Sequence, residues 1–146
     1  MICYFDTSAF VPLVIDEPSS SACRRLWEDA DDVMSSQLLY VEAAAALAQA
    51  ARCNRITAKQ EAQALRVVDR LWSELYAAEP TERLIRRAAV LTSSEALRGY
   101  DALHCATAEQ FNERDLIFAS GDRQQLKAGE NLGFYVADVN DPEFAQ

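Results

Sequence analysis

Carboxylates are the residues of this chain whose types and positions could do chemistry, and the candidates are Asp6, Glu42, Asp101 and Asp122. Asp6 directly follows the β-prone run ICYF, and Asp122 lies two residues past LIFAS. In open parallel sheets ligands bind beyond the carboxyl ends of the strands, so an acid just after a strand is a site candidate; an Asp there also caps the next helix in the ordinary way. Glu42 is the only charged residue between Val33 and Ala51, embedded in LLYVEAAAALAQAA. A helix so apolar on every face is expected to be buried, and a buried carboxylate must be paired, protonated or bound to metal. Asp101 opens the apolar segment RGYDALHCATA. The helix dipole alone would favour an acid there by about 0.3–1 kcal/mol, so the case rests on the set and not on this member.

Carboxylates converging in one cleft repel, and without compensation they take up protons. Divalent cations remove the repulsion, and hard oxygen donors suit Mg²⁺ or Mn²⁺. No His or Cys pair has zinc-site spacing. Cys3, Cys23, Cys53 and Cys105 lie far apart among apolar neighbours, which predicts buried reduced thiols and a cytoplasmic location. His104, the single histidine, stands three residues after Asp101 with Leu103, Cys105 and Ala106 around it, and reads as a hydrogen-bonded structural residue.

Positioning these acids requires alternating strands and helices. Ile2–Phe5, Val33–Ser36, Leu116–Ser120 and Phe134–Val139 are compact β-prone runs. Helices are expected over Ser19–Ala30, Gln37–Cys53, a stretch opened by the Thr57/Gln60 capping box, Thr81–Leu97 and Tyr100–Asn112, with Asn54 ending the second and Gly99 separating the last two. Leu65, Val68, Leu71, Trp72 and Leu75 recur at helical spacing as a core stripe, which could also meet a partner. Strand, helix and strand in rotation predict a three-layer α/β/α sandwich on a mainly parallel sheet, with residues 1–146 as one domain.

The 146 residues carry a net charge of −9, which opposes a nucleic-acid ligand unless bound cations reverse the local field. Arg24, Arg25, Arg83, Arg86, Arg87, Arg98, Arg123 and Lys127 are the candidate phosphate contacts, with Arg123 and Lys127, one turn apart beside Asp122, foremost. The acidic run EDADD at 28–32 precedes its strand and reads as a solvated turn. The apolar run after Met1 has no basic leader and soon meets Asp6, fitting neither a secretion signal nor a membrane span.

The opening DTSAF, the lone glutamate in SSQLLYVEAAAAL, the segment RGYDALHCATA and the late FASGD together resemble the PIN-domain ribonucleases, specifically VapC-like toxins of type II toxin-antitoxin pairs. That resemblance implies a PIN-like fold and a Mg²⁺- or Mn²⁺-dependent endoribonuclease in which Asp6, Glu42, Asp101 and Asp122 are the catalytic and metal-binding acids. It places Ser8 and Ser120 as supporting hydroxyls, with Asp122, preceded by Gly121, the most variable of the acids. It further implies hydrolysis by a metal-activated water, leaving 5′-phosphate and 3′-hydroxyl ends, a homodimer, and silencing by a VapB-like antitoxin. A catalytically silent PIN-like binding module in a protein or RNA complex is the competing reading. Aspartyl-phosphate phosphatases would need a second Asp where Ser8 stands, and a phospho-receiver module would need adjacent acids after the first strand and a late Lys.

Overall fold

The computed structural model describes residues 1–112 and 116–144. The apolar runs form strands β1 (Ile2–Phe5), β2 (Asp32–Ser36), β4 (Leu116–Ser120) and β5 (Tyr135–Asp138), joined by a short edge strand β3 (Tyr76–Ala78). All pairings are parallel and the order is β3-β2-β1-β4-β5. Between them run α1 (Thr7–Phe10), α2 (Ser20–Asp29), α3 (Leu38–Arg52), α4 (Ala58–Trp72), α5 (Glu82–Ser94), α6 (Gly99–Gln110) and α7 (Arg123–Asn131).

Strand alternation divides the core into the two outer layers. Cys3 and Phe5 of β1 pack with Cys23 of α2, Leu39, Ala43 and Leu47 of α3, and Val68 and Leu71 of α4. Tyr4, pointing the other way, packs with Leu84 and Leu91 of α5, Ala102 and Ala106 of α6, and Phe118 of β4. This is the three-layer α/β/α sandwich that the rotation of elements predicts. The chain builds one side of the sheet from β1 through β3, then crosses to β4 on the far side of β1. The carboxyl ends of β1 and β4 are therefore the topological switch point, where an open parallel sheet leaves a crevice.

Capping chemistry sets the helix starts. Thr57 accepts from the Gln60 backbone N–H at 3.1 Å while the Gln60 side chain accepts from Thr57 N–H at 2.8 Å, the reciprocal box expected of this pair. Asp6 and Asp122 both cap helices, α1 and α7. Asn54 ends α3 in the left-handed region, as expected of Asn.

Several expectations are corrected. The stripe through Leu75 does join the core, but the helix stops at Trp72 and the chain turns into β3. Gly99 does not terminate α5; it lies in the first turn of α6, and Ala96, at φ 53°, takes the left-handed turn instead. α3 is not buried on every face: Val41 is 60% exposed, and alanine runs tolerate this because each side chain exposes little apolar area. Cys53 is exposed at the end of α3, whereas Cys3, Cys23 and Cys105 are buried, and all of them are free thiols. Burial pushes those buried thiols up to about 12, so they are inert.

Candidate active site

Asp6 lies at the switch point, fully buried, immediately after β1. Its Oδ1 accepts from Ser8 Oγ at 2.7 Å and from Ala9 N–H at 3.0 Å, and its Oδ2 accepts from Ser120 Oγ at 2.6 Å. The same hydroxyls tie down the end of β4: Gly121 N–H donates to Ser8 Oγ at 2.8 Å and Asp122 N–H to Ser120 Oγ at 3.0 Å. Gly121 is tightly enclosed. A Cβ there would come within 3.0 Å of Asn140 Nδ2, the amide that donates to Gly121 O. Burial raises the Asp6 carboxyl above its ordinary value, against the opposing pull of His104 and of the Ser120, Ser8 and Ala9 hydrogen bonds. A negative charge here is therefore costly until a cation accompanies it.

Glu42, one turn into α3, reaches α6, where its Oε1 meets His104 Nε2 at 2.7 Å. Because the carboxylate accepts, Nε2 carries a proton, and Nδ1 stands 2.8 Å from the Tyr4 hydroxyl. Burial alone would raise the Glu42 pKa, but the hydrogen bond and charge of His104, with the Thr7 hydroxyl, hold it below its ordinary value. His104 is itself buried, and its hydrogen-bonded structural role is the one its apolar neighbours predict. What the sequence does not reveal is its partner: the ring orients Glu42, 62 residues away.

Asp101, in the first turn of α6, accepts from Arg98 Nε at 3.2 Å through Oδ2 and from Gln125 Nε2 at 3.1 Å through Oδ1. Asp122 Oδ1 caps α7 by accepting from Gln124 N–H at 2.9 Å and Gln125 N–H at 3.0 Å, while Arg98 Nη2 stands 4.0 Å from its Oδ2. Glu42, Asp101 and Asp122 line one cleft of about 420 Å³ together with Thr7, Ser8, Arg98, His104 and Gln125. Asp6 lies directly behind Ser8. The predicted acids thus border one region. As placed, however, no group of three or more His, Cys, Asp or Glu side chains among the described residues stands ready to hold a metal ion. Each acid is held to its own hydroxyl, imidazole, amide or guanidinium partner.

Ser8 and Ser120, singled out as supporting hydroxyls, both bond Asp6. Arg123 and Lys127 stand exposed on α7 and neither lines the cleft. Arg86 and Arg87 pair with Glu82 and Glu109. The cation that does line the cleft is Arg98. Gln125 is a site residue that sequence patterning passes over, since a Gln in a polar helix carries no signal of its own. The acidic run at 28–32 is largely exposed, with Asp31 pairing to the chain's amino terminus. Among the described residues no helix is long and apolar enough to cross a membrane.

A parallel sheet in this order with acids gathered at its switch point defines a class, and the sequence matches the PIN-domain model over residues 3–131. The chain belongs to the PIN-domain family, in its VapC-like branch. It is 38% identical over 134 residues to ribonuclease VapC45 of Mycobacterium tuberculosis strain CDC 1551 / Oshkosh, covering 92% of this chain and 93% of that protein. The same identity and coverage relate it to ribonuclease VapC49 of Mycobacterium tuberculosis strain ATCC 25618 / H37Rv.

Proposed function

We propose that this chain is a metal-dependent endoribonuclease, the toxin of a toxin-antitoxin pair, with residues 1–146 forming one PIN domain. The observation that carries this reading is the placement of Glu42, Asp101 and Asp122 along one cleft at the switch point of the sheet, with Asp6 buried against Ser8 of its lining. The similarity to proteins named ribonucleases supports the substrate class.

The donor set fits a hard divalent cation, Mg²⁺ or Mn²⁺. Every acid offers carboxylate oxygens, no thiol lines the cleft, and Asp6 is a buried carboxyl whose ionisation a neighbouring dication would favour. Asp6, Glu42, Asp101 and Asp122 would hold it. When bound, such an ion supplies charge neutralisation at a phosphodiester and lowers the pKa of water. The protein's own residues supply position. Ser8 and Ser120 fix both oxygens of Asp6, His104 aims Glu42, and Arg98 places a positive charge at the cleft mouth where a phosphate would approach.

The homodimer, the VapB-like antitoxin partner and the cytoplasmic location belong to the same reading. An apolar groove of about 890 Å³, lined by Leu38, Ile85, Tyr100 and Leu103, adjoins the acid cleft and supports a protein partner beside it. The silent-module alternative draws support from the Arg98 pairing with Asp101, because a guanidinium can satisfy a carboxylate without any chemistry.

One assay separates the two. Purified antitoxin-free protein is incubated with total RNA and Mg²⁺, beside Asp6→Asn and an EDTA control. Cleavage by the parent alone, abolished by EDTA, is expected. Intact RNA throughout favours the binding module, and undiminished cleavage by the variant sinks the assignment of the site.

A further inference from the structure

We infer that Gln125 is a positioning residue for Asp101, fixing one carboxylate oxygen so that the other is presented to the cleft. The inference rests on the reading of Asp101 as a metal ligand.

Gln125 is 4% exposed, in the first turn of α7, with Asp122 accepting from its backbone N–H at 3.0 Å. Its Nε2 donates to Asp101 Oδ1 at 3.1 Å. Its Oε1 is buried with no hydrogen-bond partner, the only side-chain nitrogen or oxygen in that condition among the described residues. The amide cannot turn over to relieve this, because an ionised carboxylate only accepts and the nitrogen must face it. A buried acceptor without a donor destabilises a fold. Met, of similar length and with no strong acceptor to satisfy, would fill the same buried space without that cost. Packing therefore does not account for a glutamine here; the bond to Asp101 does.

The two oxygens of Asp101 are held unequally. Oδ1 is bound by a buried neutral amide that is itself locked to the end of β4 through Asp122. Oδ2 is bound by Arg98, whose side chain is 82% exposed, and a surface ion pair of this kind exchanges readily. Oδ2 is thus the oxygen free to change partner, while Gln125 keeps the plane of the carboxylate fixed. Partners of this kind, which touch the ligand and not the ion, strongly influence metal affinity.

The test compares the parent, Gln125→Met and Arg98→Met by titration calorimetry with MnCl₂ and by metal-free thermal melts. Gln125→Met is expected to bind Mn²⁺ about 10- to 100-fold more weakly, with a metal-free melting temperature equal to or above the parent's. Arg98→Met is expected to bind at least as tightly as the parent, since it frees Asp101 Oδ2 and removes the competing guanidinium beside Asp122 Oδ2. Parental Mn²⁺ affinity in Gln125→Met overturns the inference, as does a lower metal-free melting temperature or failure to fold, either of which makes Gln125 a structural residue. Weaker binding by Arg98→Met overturns the division between the two oxygens. A parent that takes up no Mn²⁺ overturns both this inference and the metal site it rests on.

Discussion

Asp6 shows how a single residue carries opposing demands of stability and chemistry. Three hydrogen bonds orient it, yet its burial still lifts its pKa above the ordinary carboxylate value. The folded state therefore holds the proton more tightly than the unfolded chain, and stability declines as pH rises from the unfolded value toward the folded one. Below both values the group is protonated in either state and the penalty is absent. Asp6→Asn, which keeps a similar shape without the charge, is expected to raise the metal-free melting temperature near neutral pH by about 2–4 °C. The gain should fade below about pH 4, where the parent is neutral too. Melts across this range check it, and a variant no more stable than the parent at neutral pH would contradict the burial of an unfavourable charge. The acids themselves stand out in the sequence, Asp6 and Asp122 because they closely follow apolar strand runs, Glu42 and Asp101 because they sit in apolar helical segments. The pairings of Glu42 and Asp101 do not: His104 sits 62 residues from Glu42 and Gln125 sits 24 from Asp101, so only the fold joins them.

Among the elements, those with strong local chemistry are legible and those set by packing are not. The Thr57/Gln60 box fixes the start of α4 from neighbouring residues alone. Thr57→Ala is expected to cost about 1 kcal/mol and to lower the melting temperature by about 2–4 °C. Metal binding and RNA cleavage should be unchanged, because Thr57 does not line the acid cleft. A changed cleavage rate at saturating Mg²⁺ would show that α4 is coupled to the site. β3 is the opposite case. Its residues, Tyr76–Ala78, have little strand signal, and they become a strand because β2 offers an open edge at Met34–Ser36. The break between α5 and α6 is a further instance. Gly99 has the permissive backbone, yet Ala96 adopts the left-handed turn, so the tertiary path of the chain overrides local preference.

For the molecule as a whole, the net charge of −9 and the proposed RNA substrate are reconciled only through cations at the cleft. Binding to the folded state alone raises apparent stability, by about 2.7 kcal/mol at a ligand concentration one hundred times Kd. The parent is therefore expected to melt several degrees higher in Mn²⁺ than in EDTA. Asp101→Asn should show little difference between the two. Equal shifts in parent and variant would place the effect elsewhere on this acidic surface. The crevice between β1 and β4 exists because the strand order reverses there, a property of the complete sheet and of no segment within it.

By itself the sequence determined the alternation of strands and helices, the three-layer class, and the acids set against apolar runs, because period, capping and composition act over a few neighbouring residues. Tertiary structure alone decided that α3 and α6, from opposite layers, meet in the acid cleft through Glu42 and His104. It also decided that Arg98, and not Arg123 or Lys127, faces the acids, and that Gln125 is buried against Asp101. These are contacts between residues far apart in the chain, and what fixes them is the register of the strands and the packing of helices on either face, which no local pattern encodes.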